Sequence, residues 1–133
     1  MGRFNRTPDT ELKIAASTAV TTTASTTAVN ILSIGAGEED LGLMLDVTAV
    51  AGTFDASNYY TVELLASTAS GGTYYTVTND IVNVVGAKLV AFNTRQVVDA
   101  TGSTSAAYYK LTVTKVGSTA TGVTLSAYIV KGA

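Results

Sequence analysis

The chain has no cysteine, no histidine and no tryptophan, and a single proline at Pro8. Each absence removes a class of chemistry. Without cysteine there is no thiol nucleophile, no disulfide framework and no zinc site built on thiolates. Without histidine, the commonest general base and the commonest transition-metal ligand are missing, and a Ser-His-Asp triad cannot be assembled. Charge is scarce as well. Asp, Glu, Lys and Arg make up 14% of the 133 residues, against roughly 25% in an average soluble domain. The net charge of −2 is the wrong sign for the basic footprint of a nucleic-acid binder. No run approaches the ~18 apolar residues that a membrane-spanning helix needs. The opening "MGRFNRTPDTELK" has no apolar core of a signal peptide, and Arg6 stands where a myristoylation motif wants Ser or Thr.

What remains is Thr, Ala, Val, Ser and Gly, a mix rich in small and β-branched residues. A chain of this length buries enough surface to hold a core without staples. Residues 1–10 are polar and read as an N-terminal arm, with Arg3, Phe4 and Arg6 as its candidate anchors on a neighbouring molecule. Residues 11–133 read as one domain.

The domain shows short apolar alternations separated by Gly, Ser, Asn and Asp clusters. Candidate strands cover Leu12–Thr18, Ala28–Ile34, Leu41–Val50, Tyr59–Ala66, Thr73–Thr78, Lys88–Asn93, Ala106–Val116 and Val123–Lys131. The clearest is Leu41–Val50, where Leu41, Leu43, Leu45, Val47 and Ala49 share one face against Met44, Asp46 and Thr48. Inward sets elsewhere are Tyr60, Val62 and Leu64; Tyr75 and Val77; Val90 and Phe92; Tyr109, Leu111 and Val113; and Val123, Leu125, Ala127 and Ile129. The last two strands, joined by "GSTATG", read as a hairpin, and no segment reads as a convincing helix. About eight strands with turn signals between them predict an all-β, single-domain antiparallel β-sandwich of jelly-roll type. An immunoglobulin-like sandwich of about nine strands is the nearest rival.

Candidate sites are few. "GAGEED" at Gly35–Asp40 begins like a phosphate loop but lacks the third glycine and leads into a strand instead of a helix. Glu38, Glu39 and Asp40 offer oxygen ligands, yet consecutive residues of an extended chain point to opposite faces and do not converge on one ion. The simplest reading is a solvated turn into a buried strand. The acids are scattered, and no spacing marks a carboxylate pair for glycoside hydrolysis. The chain is therefore expected to be no enzyme, with no cofactor and no metal. Tyrosine comes in pairs: Tyr59-Tyr60, Tyr74-Tyr75 and Tyr108-Tyr109. In a strand, one of each pair fills the core and the other stands outside. Tyr59, Tyr74, Tyr108 and Tyr128 form the outward set and the candidate interface: single surface aromatics with no special role, a protein contact or a sugar-stacking platform. Abundant outward Thr with few charges suits a surface that another protein covers.

The stretch "VNILSIGAGEEDLGLMLDVT" resembles the opening of the cement, or capsid decoration, proteins of tailed phages. The likeness lies in the Ile-Gly-Ala-Gly-Glu run at Ile34–Glu38 and the alternating strand at Leu41–Val47. The segment "YYTVELLASTASGGTYYTVTND" and the closing "YYKLTVTKVGSTATGVTLSAYIV" also resemble that family. Glu39-Asp40 depart from the proline usual after the glutamate. The resemblance implies a jelly-roll protein of the virion that forms homotrimers on the outer surface of an icosahedral head. It would be made in the host cytoplasm and bridge subunits of the major capsid protein, with no nucleic acid or membrane as partner. The alternative is a phage head-fibre or tail adhesin domain that binds host glycans; a bacterial sandwich domain of other binding role stands behind it.

Overall fold

The computed structural model describes residues 13–22, 24–25, 29–30, 40–104 and 106–131. Their elements are β1 (Lys13–Val20), β2 (Ala24–Ser25), β3 (Val29–Asn30), β4 (Asp40–Gly52), β5 (Tyr59–Ser67), β6 (Tyr75–Val82), β7 (Gly86–Asn93), α1 (Thr94–Thr101), β8 (Tyr108–Val116) and β9 (Ala120–Lys131). They form two antiparallel sheets. One runs β1-β9-β4-β7; the other runs β8-β5-β6, with the short β2 and β3 both pairing β8.

The pairing is nested. β1 pairs β9, β2 and β3 pair β8, β4 pairs β7, and β5 pairs β6. A long antiparallel ribbon rolled on itself gives this order, and the result is a jelly-roll sandwich. The expected fold is thus the observed one. The strand stack is closed by the ladders β4–β9 and β5–β8, which join the two arms of the rolled ribbon.

Alternation explains which face each strand buries. Leu41, Leu43 and Leu45 of β4 and Leu125, Ala127 and Ile129 of β9 supply one wall of the core. Tyr60, Val62 and Leu64 of β5 and Tyr109, Leu111 and Val113 of β8 supply the other. All are essentially inaccessible, and none carries a charge. The Tyr60 hydroxyl donates to the Thr21 carbonyl at 2.7 Å, which ties the end of β1 to the opposite sheet. Its phenol is pushed up from the usual value by burial.

Three expectations require correction. First, the final two strands are not a hairpin. β8 and β9 lie in different sheets, and the turn 117–119 carries the chain across the sandwich. Both strands bury alternate residues either way, so alternation alone does not distinguish a hairpin from a sheet-to-sheet crossing. Second, Ala49 and Tyr75 are exposed instead of inward. Val47 pairs Leu125 while Ala49 pairs Thr124, so Thr48 is an extra residue and the strand changes phase there. The same device acts in β6. Leu64 pairs Thr78 and Leu65 pairs Thr76, which leaves Val77 as the bulged, buried residue and Tyr75 beyond the covered part of an outer strand.

Third, "TRQVVDAT" is a two-turn helix. Its N-terminus is a capping box: the Gln96 amide donates to Asn93 Oδ1 at 2.9 Å, and the Asn93 amide donates to Gln96 Oε1 at 3.0 Å. Gly102 ends it in the left-handed region, φ +71°, its amide donating to the Val98 carbonyl. Thr94 and Val97 are its buried residues, and Val97 joins the core cluster. β6 also runs on to Val82, through residues that read as a turn.

The outer strands are guarded. Lys88 on β7 reaches across to β6, with Nζ 3.1 Å from Asp80 Oδ2 and donating to the Ile81 carbonyl at 3.0 Å. An exposed ion pair of this kind contributes little to stability. Its charged groups stand at the open side of the sandwich, where a new strand would otherwise add.

Two outcomes follow from this core. Leu111, fully buried on β8, should cost about 2–5 kcal/mol when cut to alanine, read by denaturant unfolding; a loss below ~1 kcal/mol would show that the two sheets do not pack across it. Burial pushes the Tyr109 phenol up to about 12 from 10.0. The folded-state pKa is raised, so this contribution is complete below pH 10 and is lost as pH climbs from 10 toward 12, where only the unfolded chain releases the proton. Tyr109→Phe should therefore flatten the alkaline fall in stability relative to the native chain; an unchanged slope would refute the assignment.

Candidate functional site

The four outward tyrosines do not form one surface. Tyr59, Tyr74 and Tyr108 belong to the side of the β8-β5-β6 sheet that faces away from the core, whereas Tyr128 lies on the outer face of the other sheet. There Tyr128 is opposite Met44, and Met44 is opposite Leu89, so three half-buried side chains make a cross-strand row. Tyr59 pairs Val116, at the far end of β8 from Tyr108. At ~3.3 Å per residue that separates the two tyrosines by roughly 26 Å. Arg3, Phe4 and Arg6 lie outside the described residues, as do Glu38 and Glu39; Asp40 opens β4 opposite Asn93.

Only Tyr74 and Tyr108 are brought together. Tyr74 sits at the mouth of β6, half-buried, and its hydroxyl donates to the Ser70 carbonyl at 2.8 Å. Lys110 stands one outward position beyond Tyr108 on β8 and opposite Leu65 on β5. Its ammonium lies 4.3 Å from the centre of the Tyr74 ring, a cation–π contact. Burial, and then the electrostatic influence of Tyr108, hold the Tyr74 phenol above its usual value. The next row holds Glu63, opposite Thr112, and Glu63 accepts the Thr76 hydroxyl at 3.0 Å. Along the rest of this face run Thr61, Thr114, Asn79 and Ile81. Glu63 and Lys110 are the charged members of this strip. On the outer face of the other sheet, Asp46 stands among Met44, Thr48, Leu89, Thr124, Ser126 and Tyr128.

A second cluster was not foreseen from the sequence. At one pole, the loop 53–58 and the turn 117–119 are pinned together by Asn58. Its Oδ1 accepts from the Ser118 and Thr119 amides at 2.8 and 3.0 Å, and its Nδ2 donates to Asp55 Oδ1 at 2.9 Å. The Ser57 amide donates to the same Asp55 oxygen at 2.8 Å. These donors, that of Asn58 first, hold the Asp55 carboxyl below the usual range. Thr53 and Thr119 exchange two further bonds, 2.9 and 2.8 Å. Gly117 has φ +82°, and a Cβ there would fall 2.2 Å from Asn58 Oδ1. The legible signal was Asp55 three residues before Asn58, an Asx-type turn, but its partner lies some sixty residues on.

At the β6–β7 turn, Val84 and Val85 are 67% and 51% exposed, beside the exposed Ile81. They rim a cleft of about 170 Å³ floored by Leu45, Val47 and Val82. Among the described residues no three His, Cys, Asp or Glu side chains gather as a metal site, and no helix is long and apolar enough to cross a membrane.

In comparisons with known proteins, no family model matches the chain and no curated protein matches it.

The pole makes a specific prediction. Asn58→Ala leaves the Ser118 and Thr119 amides without their acceptor and removes one donor from Asp55, and should cost about 1–3 kcal/mol of unfolding free energy, with faster amide exchange at Ser118 and Thr119. Exchange unchanged at both amides would show that the side chain does not hold this turn.

Proposed function

We propose that the protein is a structural component of a phage virion: a capsid cement protein that binds the outer surface of an icosahedral head as a homotrimer and bridges neighbouring major capsid subunits. The observation that carries the reading is the character of the two outer sheet faces. Among the described residues they present mainly Thr, Ser, Ala, Leu, Met and Tyr, with Glu63, Lys110, Asp46 and, opposite Tyr128, Lys13 as the charges in register. A domain that stays free in solution commonly spaces many charges of both signs over such faces. Faces of this composition lose little on desolvation when another protein covers them.

The architecture suits the role. Cementing a shell calls for a body that transmits force without deforming, and both loops at the Asn58 pole are fixed by side-chain hydrogen bonds. Repetition over many symmetry-related sites turns a modest contact into firm attachment. The resemblance at Ile34–Glu38 and Leu41–Val47 points the same way.

The test begins with mass. Light scattering on the purified chain should give about three times 13.6 kDa. The chain should then sediment with assembled heads of its phage and raise their resistance to heat or chelation. A chain that neither trimerises nor sediments with such heads overturns the proposal.

A further inference from the structure

The face that carries Tyr74, Lys110 and Tyr108 has chemistry that shell binding does not require. Lys110 is half-buried, its ammonium over the Tyr74 ring and Tyr108 one outward position away on β8. Among the described residues its contact is the Tyr74 ring, and no carboxylate stands within salt-bridge distance of its ammonium. Glu63, the acid nearest in register, already accepts from Thr76. A cation with no salt bridge among the described residues favours an anion that arrives from outside. The ring of Tyr74 is held from two sides, by its hydroxyl bond to Ser70 and by the ammonium over it. Tyr108 lies on the same side of β8, ~6.6 Å along the strand from Lys110. Paired aromatic faces accept the C–H side of a pyranose, and hydroxyl-bearing neighbours answer its hydroxyls. Thr76 on β6, whose hydroxyl donates to Glu63, is such a neighbour.

We infer that Tyr74, Lys110 and Tyr108 form a binding site for a carboxylated glycan: the two phenols stack on successive pyranose rings and the Lys110 ammonium binds a sugar carboxylate. An acidic peptide would satisfy Lys110 alone and leave both aromatic faces unused, so the sugar is the better fit. The site does not depend on the capsid reading, since it uses one end of one sheet face and needs no second copy.

The test uses the full-length chain, isotope-labelled, titrated with hexagalacturonate and followed by amide chemical shifts. Its fully methyl-esterified form and hexaglutamate serve as comparators. The expected result is saturable binding of hexagalacturonate with the largest shifts at Tyr74, Tyr108 and Lys110, and ~10-fold weaker binding of the ester and of the peptide. Lys110→Gln removes the charge and should lose ~10-fold in affinity, Tyr108→Ala a similar factor, while Lys110→Arg stays within about threefold. Unchanged spectra outside the patch establish that each variant is folded. No saturation up to about 10 mM, equal binding of the ester or of hexaglutamate, or full binding by the folded Lys110→Gln variant overturns the assignment.

Discussion

The ladder between β4 and β9 is the constraint on which the rest of the molecule depends. β9 lies between β1 and β4, and β4 lies between β9 and β7, so the two strands are the interior of their sheet. They run together from Leu41 opposite Lys131 to Gly52 opposite Ala120. Their inner residues, from Leu41 to Val47 and from Leu125 to Ile129, are the middle of one wall of the core, flanked by Ile14 and Val20 of β1 and Phe92 of β7. The pairing joins segments from opposite ends of the fold, so its loop-closure entropy must be spent before the hydrophobic gain arrives. Such a fold is specified by its interior register more than by any local turn. A slip of one residue would turn Leu41, Leu43 and Leu45 outward together.

That dependence explains what the sequence made legible. Period-two alternation survives in β4, β5, β8 and β9 because each has one dry and one wet face, and the inner residues of β5, β8 and β9 were readable from it without exception. Alternation fails where an extra residue enters the ladder. Ala49 is misplaced for this reason, after the bulge at Thr48, whereas Tyr75 stays in register with buried Ala66 and is exposed because it lies beyond the covered part of an outer strand. It is also silent on partnership: "GSTATG" has the composition of a hairpin turn, yet Gly117 serves a crossing between sheets and its neighbouring amides are bound by Asn58. The helix carried its own local marks, Asn93 with Gln96 three residues later and Gly102 beyond the end. They were masked by a Thr-rich context of low helix propensity. The candidate site was half legible. Pairing predicted one inward and one outward tyrosine in each doublet, and Tyr60 and Tyr109 are buried beside half-buried Tyr59 and Tyr108. Which outward tyrosines meet is a matter of strand order, which no doublet encodes.

The distribution of charge follows the same logic. Where charges do occur, several serve the architecture. Lys88 and Asp80 pair across the open side, and Asp55 is held by the turn that it helps to close. Arg95 and Asp99 pair along the exposed side of α1. Ion pairs of this exposure add little to stability. Their effect is placement: they put polarity at strand edges and loop ends, and leave the broad sheet faces to hydroxyls and small apolar groups. A sheet face without charges invites association, so guarding the edges directs that association to the faces.

Lys110 is the exception among these charges. Every other charged side chain with a described partner is matched to an opposite charge or a hydrogen-bonding group, as Glu63 is to Thr76. Lys110 is matched to an aromatic ring. A cation–π contact contributes about 0.5–1 kcal/mol at an exposed site, a modest return for fixing a flexible side chain in a half-buried position. On the opposite sheet, Asp46 stands beside the row of Leu89, Met44 and Tyr128, and Lys13 pairs Tyr128 at the end of that row. On the β8-β5-β6 face, then, an ammonium is held against a phenol ring, with Tyr108 one outward position away on the same strand.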